Sequence, residues 1–398
     1  MLDFTSALYL GLQHASRALR PWPQLTAGLP ASLGSPALAR TLAQQLARLQ
    51  GCESATLAAS TLHLAWDVFG MMSKDDVTIY MDAGVYPILR WGVERAASRG
   101  VPVRKFAHHD VKALRQCLWR DRFSRRRPVI ATDGLCPECG KVAPLAEYLA
   151  CLHQTTREVG LAHDMFWSDQ RIYERKSDFA RGTGYLILDD TQALGILGAS
   201  PSRAAPFGKG GGGSLKWANL LSPNVLMISS LAKGFGAPLA VLAGNGEILR
   251  RFEHESETRR HCSPPSIAAL HAAEHALAEN EANGETLRTH LAQLVRHFHT
   301  RLRAAGFDAG AGLFPMQTLK PIYGLDARVL HERLLRKGVR TLLQAGRNEN
   351  EARVGFVLNA RHQLGDIDRA VEALCECVKF KDRNMLDRKM AIDIMRRR

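Results

Sequence analysis

Tyr185-Leu-Ile-Leu-Asp-Asp190 is the stretch on which the fold turns. Four apolar residues in a row, ending on two carboxylates, describe a strand covered on both faces, because a strand with one wet face alternates apolar and polar residues. Helices must then pack on both sides, and a parallel sheet is the usual result. The carboxylates fall at the carboxyl end of the strand, which is where open α/β sheets place their ligands.

Working outward, helical periodicity and short β-rich runs alternate along most of the chain. Helices are expected at 35–50, 61–71, 86–98, 109–121, 144–159, 266–279, 285–305, 327–337 and 367–380. Strands are expected at 55–58, 77–81, 103–106, 128–133, 185–189, 225–229, 240–243, 316–322 and 353–359. The alternation predicts an α/β protein: a large domain with a mostly parallel central sheet flanked by helices, and a smaller α+β C-terminal domain. The divisions expected are an N-terminal segment over 1–34, the large domain over 35–260, the small domain over 261–381 and a charged tail over 382–398. The polar stretch 161–184 reads as an insertion. The glycine-rich Gly208-Lys-Gly-Gly-Gly-Gly213 lacks the order of a phosphate-binding P-loop and reads as a flexible loop.

Apolar residues make up 46% of the 398 and charged residues 23%, fractions of an ordinary globular chain rather than a disordered one. The net charge of +14 favours an anionic partner. Nucleic acid is not expected, because the basic residues are dispersed and no nucleic-acid-binding signature organises them. The densest clusters, Arg125–Arg127 and Arg396–Arg398, read as solvated surface. No apolar run is long enough to span a bilayer and no signal segment is evident, so a cytoplasmic, reduced protein is expected. Cys136-x-x-Cys139 and Cys375-x-Cys377 have spacings that zinc ligands also use. The second pair falls in an amphipathic helical pattern, where small buried thiols are common, and no metal site is assigned.

Ser229-Ser-Leu-Ala-Lys-Gly-Phe-Gly236 follows the apolar run Val225–Ile228. A partly desolvated lysine at such a strand end is a nucleophilic amine, the two hydroxyls can donate to a phosphate, and the glycines admit close backbone approach. By itself Lys233 reads better as a surface lysine in a turn. Asp189 likewise reads either as the cap of a following helix or as a carboxylate awaiting a cation.

The order of these features resembles the α-oxoamine synthase family of fold-type I pyridoxal-phosphate (PLP) enzymes, with 8-amino-7-oxononanoate synthase the nearest type. The resemblance runs from Leu2 to about Lys379. It rests on Leu2–Leu12, Leu29–Gly51, Phe106–Asp110, Thr132-Asp-Gly134 with Ala143-Pro-Leu145, Leu188–Gly198 and Ser230–Gly236. It implies condensation of an amino acid with an acyl thioester, carried by CoA or an acyl carrier protein, through a carbanion formed on PLP. By position it implies Lys233 as the Schiff-base lysine and Asp189 as partner of the pyridine nitrogen. Ser230 becomes a phosphate-binding hydroxyl, and Ser60-Thr61-Leu62 a phosphate cradle at a helix start. It also implies a homodimer with active sites at the subunit interface.

The substrate side departs from the family. Its ring-stacking histidine falls at Tyr86, its second histidine at Gln192, a serine at Pro137, the asparagine of the first motif at Ala7, and the carboxylate-gripping arginine at Gly355. Arg353, two residues earlier on the same strand, shares that face and is the candidate replacement. These departures keep two rivals open: another PLP reaction, such as an aminotransferase or decarboxylase, or a non-catalytic homologue.

Overall fold

A computed structural model of the chain describes residues 1–124, 126–153, 184–310, 312–345 and 352–378. Arg125, the expected insertion apart from Gly184, and the charged tail lie outside the described residues. Two compact units are resolved: Leu12–Cys136 with Val142–Gly284, and Met1–Gly11 with Pro137–Lys141 and Glu285–Arg398. The sequence reading set the start of the second unit at 261 and kept the N-terminal segment apart from it.

The larger unit is built on a seven-stranded sheet. Its strands are β2 (Ser54–Ala58), β3 (Val77–Asp82), β4 (Val103–Phe106), β5 (Arg127–Asp133), β6 (Tyr185–Asp189), β7 (Val225–Ser230) and β8 (Ala240–Gly244). Their spatial order is β2-β8-β7-β6-β5-β3-β4. All neighbours are parallel except the two pairs made by β8. The expected mostly parallel sheet is therefore present.

The decisive stretch behaves as its composition dictates. Ile187 of β6 packs into one apolar core, together with Val129, Ala131, Leu226 and Ile228 from β5 and β7 and with residues of α2 (Thr61–Met72), α3 (Pro87–Ser98) and α7 (Gly246–Glu255). Leu186 and Leu188 point the other way, into a second core with Ile130, Met227 and residues of α4 (Val111–Arg120) and the helix α5 at 145–153. Alternate residues of one apolar run thus serve two cores, which is why the run has no polar member. Asp133, Asp189 and Ser230 end β5, β6 and β7 on the same edge of the sheet.

Three expectations are corrected. The helices expected at 266–279 and 285–305 are one 38-residue helix, α9 (Ile267–Ala304). The Asn280–Gly284 stretch was a plausible break, since a mid-helix glycine costs ~1 kcal/mol. Packing overrides it: Gly284 is buried, and Asn280 is 8% exposed with its Nδ2 donating to the Gly210 carbonyl at 3.0 Å. The glycine run is not a free loop either. Leu194 bridges Gly212 and Ala199 bridges Lys209. A Cβ on Gly212 would lie 2.1 Å from the Leu49 carbonyl oxygen, and Gly208 combines a φ of +74° with a Cβ position 2.0 Å from the Gly198 oxygen. The fully buried Asp190 accepts the backbone N–H and the hydroxyl of Ser214, pinning the end of the run. Finally, Leu2–Asp3, read only as part of a motif, is a short strand, β1, parallel to β10 (Val339–Arg340).

The smaller unit carries a three-stranded antiparallel sheet ordered β11 (Leu342–Ala345), β12 (Ala352–Val357), β9 (Met316–Thr318). The helices α10 (Ala327–Arg336) and α11 (364–378) belong to it. Its N-terminal residues are held by aromatic contacts: Phe4 stacks on His362 with ring centroids 4.4 Å apart, and Tyr9 meets Phe314 edge-on at 5.4 Å. No described helix is long and apolar enough to cross a membrane.

Candidate active site

A cavity of about 190 Å³ opens at the carboxyl ends of β5, β6 and β7, lined by Thr61, Tyr86, Ile88, Asp133, Asp189, Thr191, Gln192, Ser230 and Lys233. Six of the residues singled out from sequence meet here: Thr61, Tyr86, Asp189, Gln192, Ser230 and Lys233. Ser60 stands directly before Thr61 as the N-cap of α2, its side chain accepting the His63 N–H. Leu62 is not among the lining residues and is 40% exposed. Arg353 lies in the other unit, on β12.

Asp189 is fixed by its own strand and by the turn that follows. Its Oδ1 accepts the Thr191 N–H at 3.0 Å, and it forms no ion pair among the described residues. Burial pushes its carboxyl upward, against the Thr191 hydrogen bonds and the Lys233 charge, which favour the anion. A carboxylate this buried needs a nearby cation if it is to stay ionised.

Lys233 sits in the turn after β7. Burial lowers its amine below the ordinary lysine range, with the Asp189 and Asp133 carboxyls opposing the shift. Its Nζ lies 5.4 Å from the centre of the Tyr86 ring, so ring and amine share the cavity. The turn is held on both sides: the Leu231 N–H donates to the Leu239 carbonyl at 2.9 Å, and His14 Nε2 lies 2.7 Å from the Phe235 carbonyl oxygen. His14 was not found from sequence. The hydroxyl of Ser230 accepts the Ala232 N–H at 3.2 Å, while its backbone N–H donates to Thr191 Oγ1 at 3.1 Å. The Ser230 hydroxyl therefore points its proton elsewhere and remains a donor to a bound anion.

Asp133 and Thr191 were also not singled out as site residues. The signal for Asp133 was present, since it ends a buried strand as Asp189 does, and the register pairs the two directly. Its carboxylate oxygens lie 3.0 and 3.1 Å from the Tyr86 backbone nitrogen, whose N–H it accepts, and this fixes the start of α3. One strand further out, Asp82 Oδ1 is 2.8 Å from His108 Nδ1. The Asp82 hydrogen bond, with a second from Cys136, pushes His108 up to about 9. A histidine raised in the folded state stabilises fully below its unfolded value of ~6.5, and that contribution is lost as pH rises through the folded value. The unfolding temperature should therefore decline between ~pH 6.5 and about 9. Thermal melts of Asp82→Asn across this window should show a flatter decline, and an unaltered slope would remove the pair as its cause.

In the smaller unit, Arg353 pairs with Gln344 across β11 and β12. A Cβ on Gly355 would meet the same Gln344 side chain at 3.2 Å, so positions 353 and 355 do share one face. Gln344 also accepts the Thr318 hydroxyl at 3.1 Å.

Comparison with known proteins decides between kinships of this architecture. No family model matches the chain. It is 26% identical over 388 residues to an 8-amino-7-oxononanoate synthase of Alcanivorax borkumensis, covering 94% of this chain and 89% of the relative. A Marinobacter nauticus protein of the same name is 26% identical over 390 residues, covering 94% and 87%. The chain is related to the α-oxoamine synthases. Among solved structures, serine palmitoyltransferase from S. paucimobilis with a bound PLP–myriocin aldimine superposes with a TM-score of 0.76 at 14% identity, covering 95% of this chain and 87% of the other. An 8-amino-7-oxononanoate synthase from Francisella tularensis gives 0.67 at 17%, covering 96% and 98%. These likenesses carry the fold, which is that of the fold-type I enzymes.

Proposed function

We propose that this chain is a PLP-dependent acyltransferase that joins an amino acid to an acyl thioester on CoA or an acyl carrier protein. The observation that carries the reading is the pairing of Lys233 and Asp189 in one cavity: a desolvated amine able to attack an aldehyde, and a buried carboxylate in need of a cation.

The residues present fit the cofactor. Lys233 would bind its aldehyde carbon, and Asp189 would hold its pyridine nitrogen protonated. The Ser230 hydroxyl and the free N–H groups at the start of α2, beside Ser60, Thr61 and Leu62, suit its phosphate. Tyr86 supplies a face for stacking and Gln192 a hydrogen bond at the ring edge. When bound, PLP would supply an electron sink for negative charge at the amino-acid α-carbon. The chain's own part is narrower. Lys233 would accept and return the α-proton at Nζ. The Asp189 carboxylate keeps a positive charge in place. Tyr86 and Ile88 line one side of the cavity.

Arg353 is the proposed grip on the amino-acid carboxylate in place of the arginine that the family has at the position of Gly355. Arg353→Ala should raise the Michaelis constant for the amino acid by ~10–100-fold, as for loss of a charged hydrogen bond, with a smaller change in kcat. An unchanged constant would remove Arg353 from that role. In this reading the working form is a homodimer in the cytoplasm, with no nucleic acid and no membrane involved. The direct test supplies PLP, single amino acids and acyl-CoA or acyl-carrier thioesters, and follows free thiol release with ketone formation. Amino-acid turnover without thiol release would favour the rival reading, a PLP aminotransferase or decarboxylase.

A further inference from the structure

Asp133 and Asp189 end adjacent parallel strands in register, and both face the cavity that holds Lys233. They are 4% and 6% exposed. Two carboxylates this close and this dry do not both ionise readily, because each charge opposes the other and neither is solvated. The surroundings break the symmetry. Asp189 accepts hydrogen bonds from Thr191 that favour its anion. Asp133 accepts only the Tyr86 N–H among the hydrogen bonds above, and one oxygen suffices for it, which leaves the other to carry a proton.

We infer that Asp133 is an acid–base group of this cavity, a neutral carboxylic acid beside the Asp189 carboxylate, which gives its proton to the Lys233 amine and takes it back. In the forward step the O–H bond of Asp133 breaks and an N–H bond forms at Nζ. A carboxylate and an ammonium result, so the net charge of the cavity does not change.

The groups facing Asp133 agree with this assignment. Burial and then the Asp189 charge push its carboxyl well above the usual range, and Cys136 beyond β5 and Asp82 at the end of β3 act in the same direction. Asp82 is already engaged by His108. Lys233, after β7, lines the same cavity and is the amine that Asp133 faces. The position also answers a deficit. Tyr86 stands where the resemblance places a histidine, and a phenol holds its proton near neutral pH where an imidazole exchanges it. Asp133 touches the Tyr86 backbone and so brings an exchangeable proton to the same wall of the cavity.

The role rests on the cavity being the PLP and amino-acid site, but the protonation state is testable without PLP. Infrared spectra of the full chain, with aspartate carboxyls labelled with carbon-13, should show a protonated-acid carbonyl band at neutral pH. Part of it should vanish in Asp133→Asn, and Asp133→Glu should restore an acid band at the frequency of an unlabelled carboxyl. In the same cofactor-free protein, the pH midpoint for acylation of Lys233, read by peptide mass spectrometry, should stay within ~0.3 units in Asp133→Asn. Asp189→Asn should lower it by about one unit or more, as removal of a neighbouring charge does. With PLP and amino acid added, exchange of the α-hydrogen with heavy water should slow ~10²-fold in Asp133→Asn at unchanged amino-acid affinity. An acid band untouched by Asp133→Asn, a Lys233 midpoint lowered as much as by Asp189→Asn, or undiminished exchange would overturn the assignment. Failure to bind PLP would instead count against the proposed function, since the first two readings do not involve it.

Discussion

Lys233→Ala will leave the chain folded but unable to hold PLP covalently, and will reduce amino-acid turnover by more than ~10³-fold. The expectation follows from two losses at one atom. In the proposed function the amine is both the nucleophile for the cofactor aldehyde and the base for the amino-acid α-proton; positioned acid–base groups alone contribute ~10²–10⁴-fold. The fold should survive, because the turn is held by backbone bonds at Leu231 and by His14 on the Phe235 carbonyl rather than by the lysine side chain. Melting temperatures close to wild type, together with loss of the borohydride-fixed adduct, are the paired readout. A variant that still forms the adduct would place the reactive amine elsewhere.

Asp189→Asn should separate binding from chemistry. The amide fills the same space and its oxygen can still accept the Thr191 N–H, so the end of β6 should stay intact. What disappears is the charge that, in the proposed function, keeps the ring nitrogen protonated. Loss of one preorganised electrostatic partner in a dry site costs ~10²–10³-fold in kcat. PLP should still bind, with turnover lowered by at least that factor and the Michaelis constant little altered. Near-normal kcat would show that the positive charge on the cofactor is set by some other group.

Much of this was legible in the sequence, for reasons specific to particular residues. Tyr185–Leu188 could be read because burial on two faces demands four apolar residues without interruption, and the two cores that share them confirm the logic. Asp189 and Lys233 were found because strand ends are where such residues become useful. Asp133 ends its strand in the same way but was read only as part of a motif, and only the register beside Asp189 gives it a chemical consequence. The long helix over Ile267–Ala304 was split because Asn280, Asn283 and Gly284 are poor helix formers, and local preference cannot reveal that the segment is packed. The glycine run looked loose because absence of side chains reads as freedom. In the fold the same absence lets Gly208 and Gly212 lie against other backbones. His14 was out of reach altogether, since no local pattern ties it to the Phe235 carbonyl 221 positions away.

The central claim is that Lys233, at the carboxyl edge of this sheet, is the residue that carries PLP. Incubating the purified chain with PLP, reducing with borohydride and mapping the peptides tests it most directly. The account predicts one dominant pyridoxyl-modified peptide, that containing Lys233, and protection of that lysine when a substrate amino acid is added before reduction. Modification spread over surface lysines with Lys233 unlabelled, from a protein that stays colourless with the cofactor, would contradict it.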